Sequence, residues 1–202
     1  SYFTRLVLAR TLEPAEYGLF YAVFSFIVFL SFFRGLGLGE ALVKFIAEDR
    51  VRNDNDAIKT SITAVMVVQF LSSLVLAAGT YWLSPWLART YFKAPAAEGV
   101  LQVLSLYLLV MGFYLVFQNV LNGFQKYSVI AWIECSRNTI VLVVILIGGA
   151  LGLRNVIVPA WGYVVSVFVM GILLLPFVQR EFNFFKYRIA AFRKTVKRLG
   201  LF

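Results

Sequence analysis

From Gly18 to Phe33 the chain runs without a single charged residue, in a stretch dominated by Phe, Val, Ile and Leu. A helix needs about 20 mostly apolar residues to cross the ~30 Å hydrocarbon core of a bilayer, so this run and its flanks are just long enough to span. Its leading edge, Glu13-Pro14-Ala15-Glu16, suits a helix start: proline loses nothing in a first turn, and acids favour the positive end of the helix dipole. At the far edge Arg34 is followed by Gly35, Gly37, Gly39 and Glu40. Charge and backbone freedom thus arrive together where the helix nears an interface or a cavity.

Similar runs recur down the chain. Its residues are 61% hydrophobic and 14% charged, against about 25% charged in an ordinary soluble domain. The expected fold is therefore all-α, a polytopic integral membrane protein. The spans are expected over about residues 1–9 (partial), 18–38, 61–82, 100–121, 128–151 and 156–178. Residues 1–9 are apolar but too short to cross and open on Ser1, so they are read as the last turns of a truncated first helix, and the sequence as a fragment. The charged stretch 40–60 is expected outside the hydrocarbon, extending the second helix to a turn at 53–56. Residues 83–99, broken by Pro85 and Pro95, read as an interfacial loop. The basic and aromatic stretch 179–202 reads as a cytoplasmic linker to a next segment, or as a segment lying flat on an anionic leaflet.

The net charge of +9 does not point to nucleic acid, because the basic residues lie between apolar runs and in the tail rather than on a polar scaffold. Anionic lipid headgroups and topology signals account for them. Lys44, Arg50, Arg52, Lys59, Lys126 and the basic residues from Arg180 onward fall on one side of the expected spans, and Arg5, Arg10, Arg89, Lys93 and Arg154 on the other. Cytoplasmic loops carry the Lys/Arg excess, so the first group is assigned to the cytoplasm. With one cysteine, Cys135, and no histidine, internal disulfides, His/Cys metal sites and His-based triads are excluded. No cofactor is implied, and no nucleophile and base pair that would mark an enzyme is visible.

Charged groups at membrane depth are costly, roughly 2.5–3.5 kcal/mol for a central Arg or Asp on insertion scales, so the few present are informative. Arg34 either serves function or snorkels to the headgroups on its long stem. Glu134, Arg137 and Asn138 fall at i, i+3 and i+4 and share one helix face. They form either a structural ion pair or a substrate contact. Gln118, Asn119, Asn122 and Gln125, like Gln69, Ser72 and Ser73, are of the kind that ties helices together. The GLGLG stretch at 35–39 lacks the spacing of a nucleotide loop and is read as a helix packing or bending element.

Three segments, LARTLEPAEYGLFYAVFSF, FFRGLGLGEALVKFIAE and VLNGFQKYSVIAWIECSRN, resemble in order and spacing the oligosaccharide and polysaccharide flippases of the multidrug/oligosaccharidyl-lipid/polysaccharide exporter superfamily. The resemblance implies the N-terminal six-helix lobe of a MATE-like transporter fold, facing a C-terminal six-helix lobe of the same protein across a central cavity. It implies residence in the cytoplasmic membrane and transfer of lipid-linked oligosaccharide by alternating access. Basic cavity residues would suit the lipid diphosphate, with Arg34 and Arg137 the candidates by position and chemistry and Glu134 and Asn138 beside them. Guanidinium stays charged and makes paired hydrogen bonds to phosphate oxygens. Two other readings stay open. A cation-coupled multidrug exporter of the same superfamily would use Glu134 as its deep acid, and a non-transporting scaffold would fill its cavity with apolar side chains.

Overall fold

The computed structural model describes residues 2–35, 37–153 and 155–182 of the chain, and among them the fold is helical throughout, without a strand. Seven α-helices follow in order: α1 (Tyr2–Thr11), α2 (Pro14–Gly35), α3 (Leu38–Val51), α4 (Asn55–Trp86), α5 (Ala97–Gly123), α6 (Tyr127–Ala150) and α7 (Ile157–Glu181). Five of them, α2 and α4 to α7, are long and apolar enough to cross a membrane. Most of the stretch 179–202, expected as a linker, lies outside the described residues, as does Arg154.

The centre of the bundle is α5, which packs against α2, α3, α4, α6 and α7. Of its most apolar window 56% is buried, against 17% in α2 and in α6, so those two helices form flanks with broad apolar faces turned outward. Small residues set the closest approaches, as membrane helices require where lipid is as apolar as leucine. Gly112 of α5 lies over Ser73 of α4, and a Cβ on Gly123 would meet Ile46 of α3 at 2.8 Å.

Two expectations are corrected here. The second span does not run unbroken through the glycines into the charged stretch. It stops at Gly35, Gly37 turns left-handed at φ 76°, and a separate helix α3 begins at Leu38. Glycine alone adopts that conformation freely. Helix α3 buries Ala41, Leu42, Phe45 and Ile46, and it lies along the last turns of α5, Gly39 by Asn119 and Ile46 by Gly123. Its first half is thus part of the packed bundle and not a surface extension. Nor does Pro85 end the next helix, because α4 runs through it and closes with a π-helical turn, Leu87–Tyr91. The Tyr81 carbonyl that Pro85 cannot pair accepts the Ser84 hydroxyl at 2.7 Å. A hydroxyl on the helix restores in this way the backbone bond that proline removes.

The basic turns share one end of the bundle. The Arg50 guanidinium sits 5.5 Å over the Phe124 ring, and Lys126 pairs with Glu181 at 3.0 Å, so the α3–α4 turn, the α5–α6 turn and the end of α7 meet there. By the Lys/Arg bias this is the end expected to face the cytoplasm. In a Cys135→Ala background, Asn55→Cys is expected to resist a membrane-impermeant maleimide applied outside intact cells, while Ala96→Cys reacts. Labelling of position 55 from outside would reverse the orientation.

Candidate functional site

The break between α2 and α3 decides where Arg34 lies. Its Nη1 donates to the carbonyl of Leu108 at 3.3 Å, and Leu108 is near the middle of α5. At 1.5 Å per residue that carbonyl is about 17 Å from the start of α5 and about 23 Å from its end. From the last turn of α2, at the inner end of that span as expected, the Arg34 side chain therefore reaches the middle of α5. It is 3% exposed, its Nε has no hydrogen-bond partner, and no acidic side chain pairs with it among the described residues. Its carbonyl, released where α2 ends, accepts the hydroxyl of Ser72 from α4 at 3.3 Å.

Arg34 lines a cleft of about 760 Å³ with Gly37, Glu40, Lys44, Gln69 and Asn119. Gln69 and Asn119, expected to tie helices, face this space. The Gln69 Oε1 is buried without a partner. The cleft thus holds a cation and an unsatisfied polar atom together.

The three residues of the α6 face do meet, as their spacing predicts, but in a different place. Arg137 Nη2 donates to Glu134 Oε2 at 2.8 Å, and Asn138 Nδ2 donates to the Glu134 carbonyl at 3.0 Å. Two partners from α5 complete the carboxylate, Tyr114 at 2.6 Å and Gln118 at 3.3 Å, both donating to Oε1. A carboxylate has about four lone-pair sites, and three are engaged, which suits a counter-ion that holds α6 to α5. Arg137 and Asn138 line a second cleft of about 440 Å³ with Arg5, Tyr21, Tyr107 and Tyr163. Arg5, which reads as an outer-loop charge, comes into this cleft from α1 with its guanidinium 5.7 Å over the Tyr21 ring. Its place inside the apolar run of residues 1–9 was the available signal.

The four candidates thus fall into two clefts, Arg34 in one and the Glu134, Arg137 and Asn138 group at the other. Tyr107, one residue before the carbonyl that holds Arg34, lines the second cleft and lies within electrostatic reach of both arginines. Nothing in the sequence singles out this tyrosine, because its role depends on which helices flank α5.

An uncharacterized membrane protein of Methanocaldococcus jannaschii is 28% identical over 211 residues, an alignment that takes in 98% of this chain and 42% of the relative. The chain therefore spans less than half the length of that relative. No solved structure matches it significantly. Residues 1–202 match, end to end, the family described as polysaccharide biosynthesis protein. With its membrane-spanning helices and the turns that resemble the flippases, the chain belongs to the polysaccharide biosynthesis protein family.

Proposed function

We propose that this chain forms one lobe of a flippase that moves lipid-linked oligosaccharide across the cytoplasmic membrane by alternating access, for the assembly of polysaccharide or cell-surface glycan. The observation that carries the reading is Arg34, a buried cation without an acidic partner among the described residues, lining a cleft of about 760 Å³. Leaving a charge uncompensated in such a place costs several kcal/mol, and a substrate that brings its own negative charge offsets that cost. A lipid diphosphate is such a substrate. The polar lining of Gln69, Asn119 and Glu40 speaks against a scaffold with an apolar filling. The three donors on Glu134 leave little room for a coupling cation. The second wall of the cavity would be the C-terminal lobe of the same protein.

Proteoliposomes containing the complete protein test this directly. A fluorescent polyprenyl-diphosphate oligosaccharide is expected to become accessible to a membrane-impermeant quencher beyond the outer-leaflet fraction seen in protein-free vesicles. An ion gradient that drives efflux of an organic cation, with no movement of the lipid, would assign the protein to the multidrug branch instead.

A further inference from the structure

The second cleft has a lining that the ion pair at its edge does not explain. Phe24 of α2, Tyr107 of α5 and Tyr163 of α7 all line it and touch one another, with ring centroids 4.6 Å apart for Phe24 and Tyr163 and 6.2 Å from Tyr107 to either. Tyr107 lies ten residues into α5, about 15 Å along it, and is 7% exposed. Among the described residues no protein group pairs with the Tyr107 or the Tyr163 hydroxyl, and neither hydroxyl is sealed off by its neighbours. A tyrosine hydroxyl at such depth ordinarily has a hydrogen-bond partner. Polar groups also enter from α6: Arg137, and Asn138, whose Nδ2 is used on the Glu134 carbonyl so that its Oδ1 remains as an acceptor. No Asp or Glu is among the residues that line this cleft.

We infer that this cleft is a carbohydrate subsite, in which the rings of Phe24 and Tyr163 take the C–H face of a sugar and Tyr107, Asn138 and Arg137 hydrogen-bond its hydroxyls. The lining argues against other occupants. An organic cation would meet two arginines, Arg5 and Arg137, and no acid. An acyl chain would leave the tyrosine hydroxyls, the Asn138 carbonyl and the guanidinium groups without partners. A pyranose ring suits both halves of the lining. Its C–H face is apolar and lies well against the negative face of an aromatic ring, and each of its hydroxyls donates and accepts, as tyrosine and amide groups require. The volume of about 440 Å³ falls within the range of small-molecule sites, about 300–1,000 Å³. The inference deepens the flippase reading and rests on it for the source of the sugar. Helix α2 lines the two clefts in succession, Tyr21, Phe24 and Val28 in this one and Ser31 and Arg34 in the other. A sugar carried on a lipid whose head lies in the first cleft therefore has the second directly beside it.

The test uses the complete protein in phosphatidylcholine nanodiscs and free sugars that carry neither lipid nor phosphate: the methyl glycosides of glucose, galactose, mannose and N-acetylglucosamine. Saturation-transfer NMR with irradiation of the protein's aromatic protons is expected to give a saturable signal on the ring C–H protons of at least one of them, above that of empty nanodiscs. Tyr107→Phe and Tyr163→Phe should each weaken that binding about three- to tenfold, with the thermal midpoint of the protein unchanged, because no protein group loses a partner when either hydroxyl is removed. Tyr163→Leu, which keeps an apolar side chain but loses the ring face, should weaken it by about tenfold or more. A panel in which no glycoside binds, or binding that both Phe variants leave untouched, would overturn the subsite while the flippase reading stands on its own transport assay. A thermal midpoint that falls in step with binding in the Phe variants would make the hydroxyls part of the helix packing and overturn it as well. Failure of lipid transport in the proteoliposome assay, with glycoside binding intact and sensitive to Tyr107→Phe, would overturn the flippase reading and leave the subsite standing.

Discussion

Arg34→Ala is expected to abolish glycan export while the protein still folds and reaches the membrane. The side chain is a buried cation whose one protein hydrogen bond goes to a backbone carbonyl, that of Leu108. Removing it takes away an uncompensated charge, so the free energy of folding should change little or improve. On the proposed flippase reading, substrate binding is affected in the opposite direction. Loss of one partner of a desolvated, hydrogen-bonded charge pair costs about 2–5 kcal/mol, which corresponds to a fall in transport of about thirtyfold to several thousandfold. Arg34→Lys keeps the charge but loses the planar fork and is expected to sit about tenfold below wild type. Normal yield with lost transport is the signature of a ligand. Wild-type transport by Arg34→Ala would leave the residue as a packing element only, and a drop in yield that parallels the drop in transport would assign it to folding.

The second large effect is expected at the junction of α5 and α6. Glu134 and Arg137 are bonded at 2.8 Å, with side-chain exposures of 35% and 15%. Removing either charge alone leaves the other partly desolvated without its partner. Because the pair is only partly buried, the cost is placed at about 1–3 kcal/mol for each single neutralisation, below the range for fully buried pairs. Glu134→Gln should be the worse of the two, since it also weakens the bonds from Tyr114 and Gln118. The double variant Glu134→Gln/Arg137→Gln should be more stable than the sum of the two losses by about 1 kcal/mol or more. The thermal midpoint of the purified protein in detergent, followed by size-exclusion fluorescence, is the measurement. Strict additivity would place the two side chains in separate environments.

What the amino-acid sequence determines by itself here is what depends on local spacing and on solvent. A charge-free run such as 18–33 can be stable as a helix in lipid and has few other fates. Helical character, membrane residence and the approximate positions of the apolar helices follow from that. The pairing of Glu134 with Arg137 is equally local, because residues at i, i+3 and i+4 on a helix share a face. The turns that carry the family resemblance are contiguous segments too, and the family match covers the same residues.

Only the tertiary structure decided how deep each charge lies and what it faces. In the sequence Arg34 follows the last apolar residues of a span and reads as its inner edge. In the bundle its side chain reaches Leu108 in the middle of α5, while α3, a new helix after Gly37, lies along the last turns of α5. That register is set by Gly39 against Asn119 and Gly123 against Ile46, contacts between residues far apart in the chain that no periodicity encodes. The same holds for Tyr114, 20 residues from Glu134, and for Arg5, brought into a cleft with Arg137. Burial, electrostatic reach and the shape of a cleft belong to the packing of helices against one another. A sequence read one helix at a time shows which groups must be satisfied, and the packing decides by what.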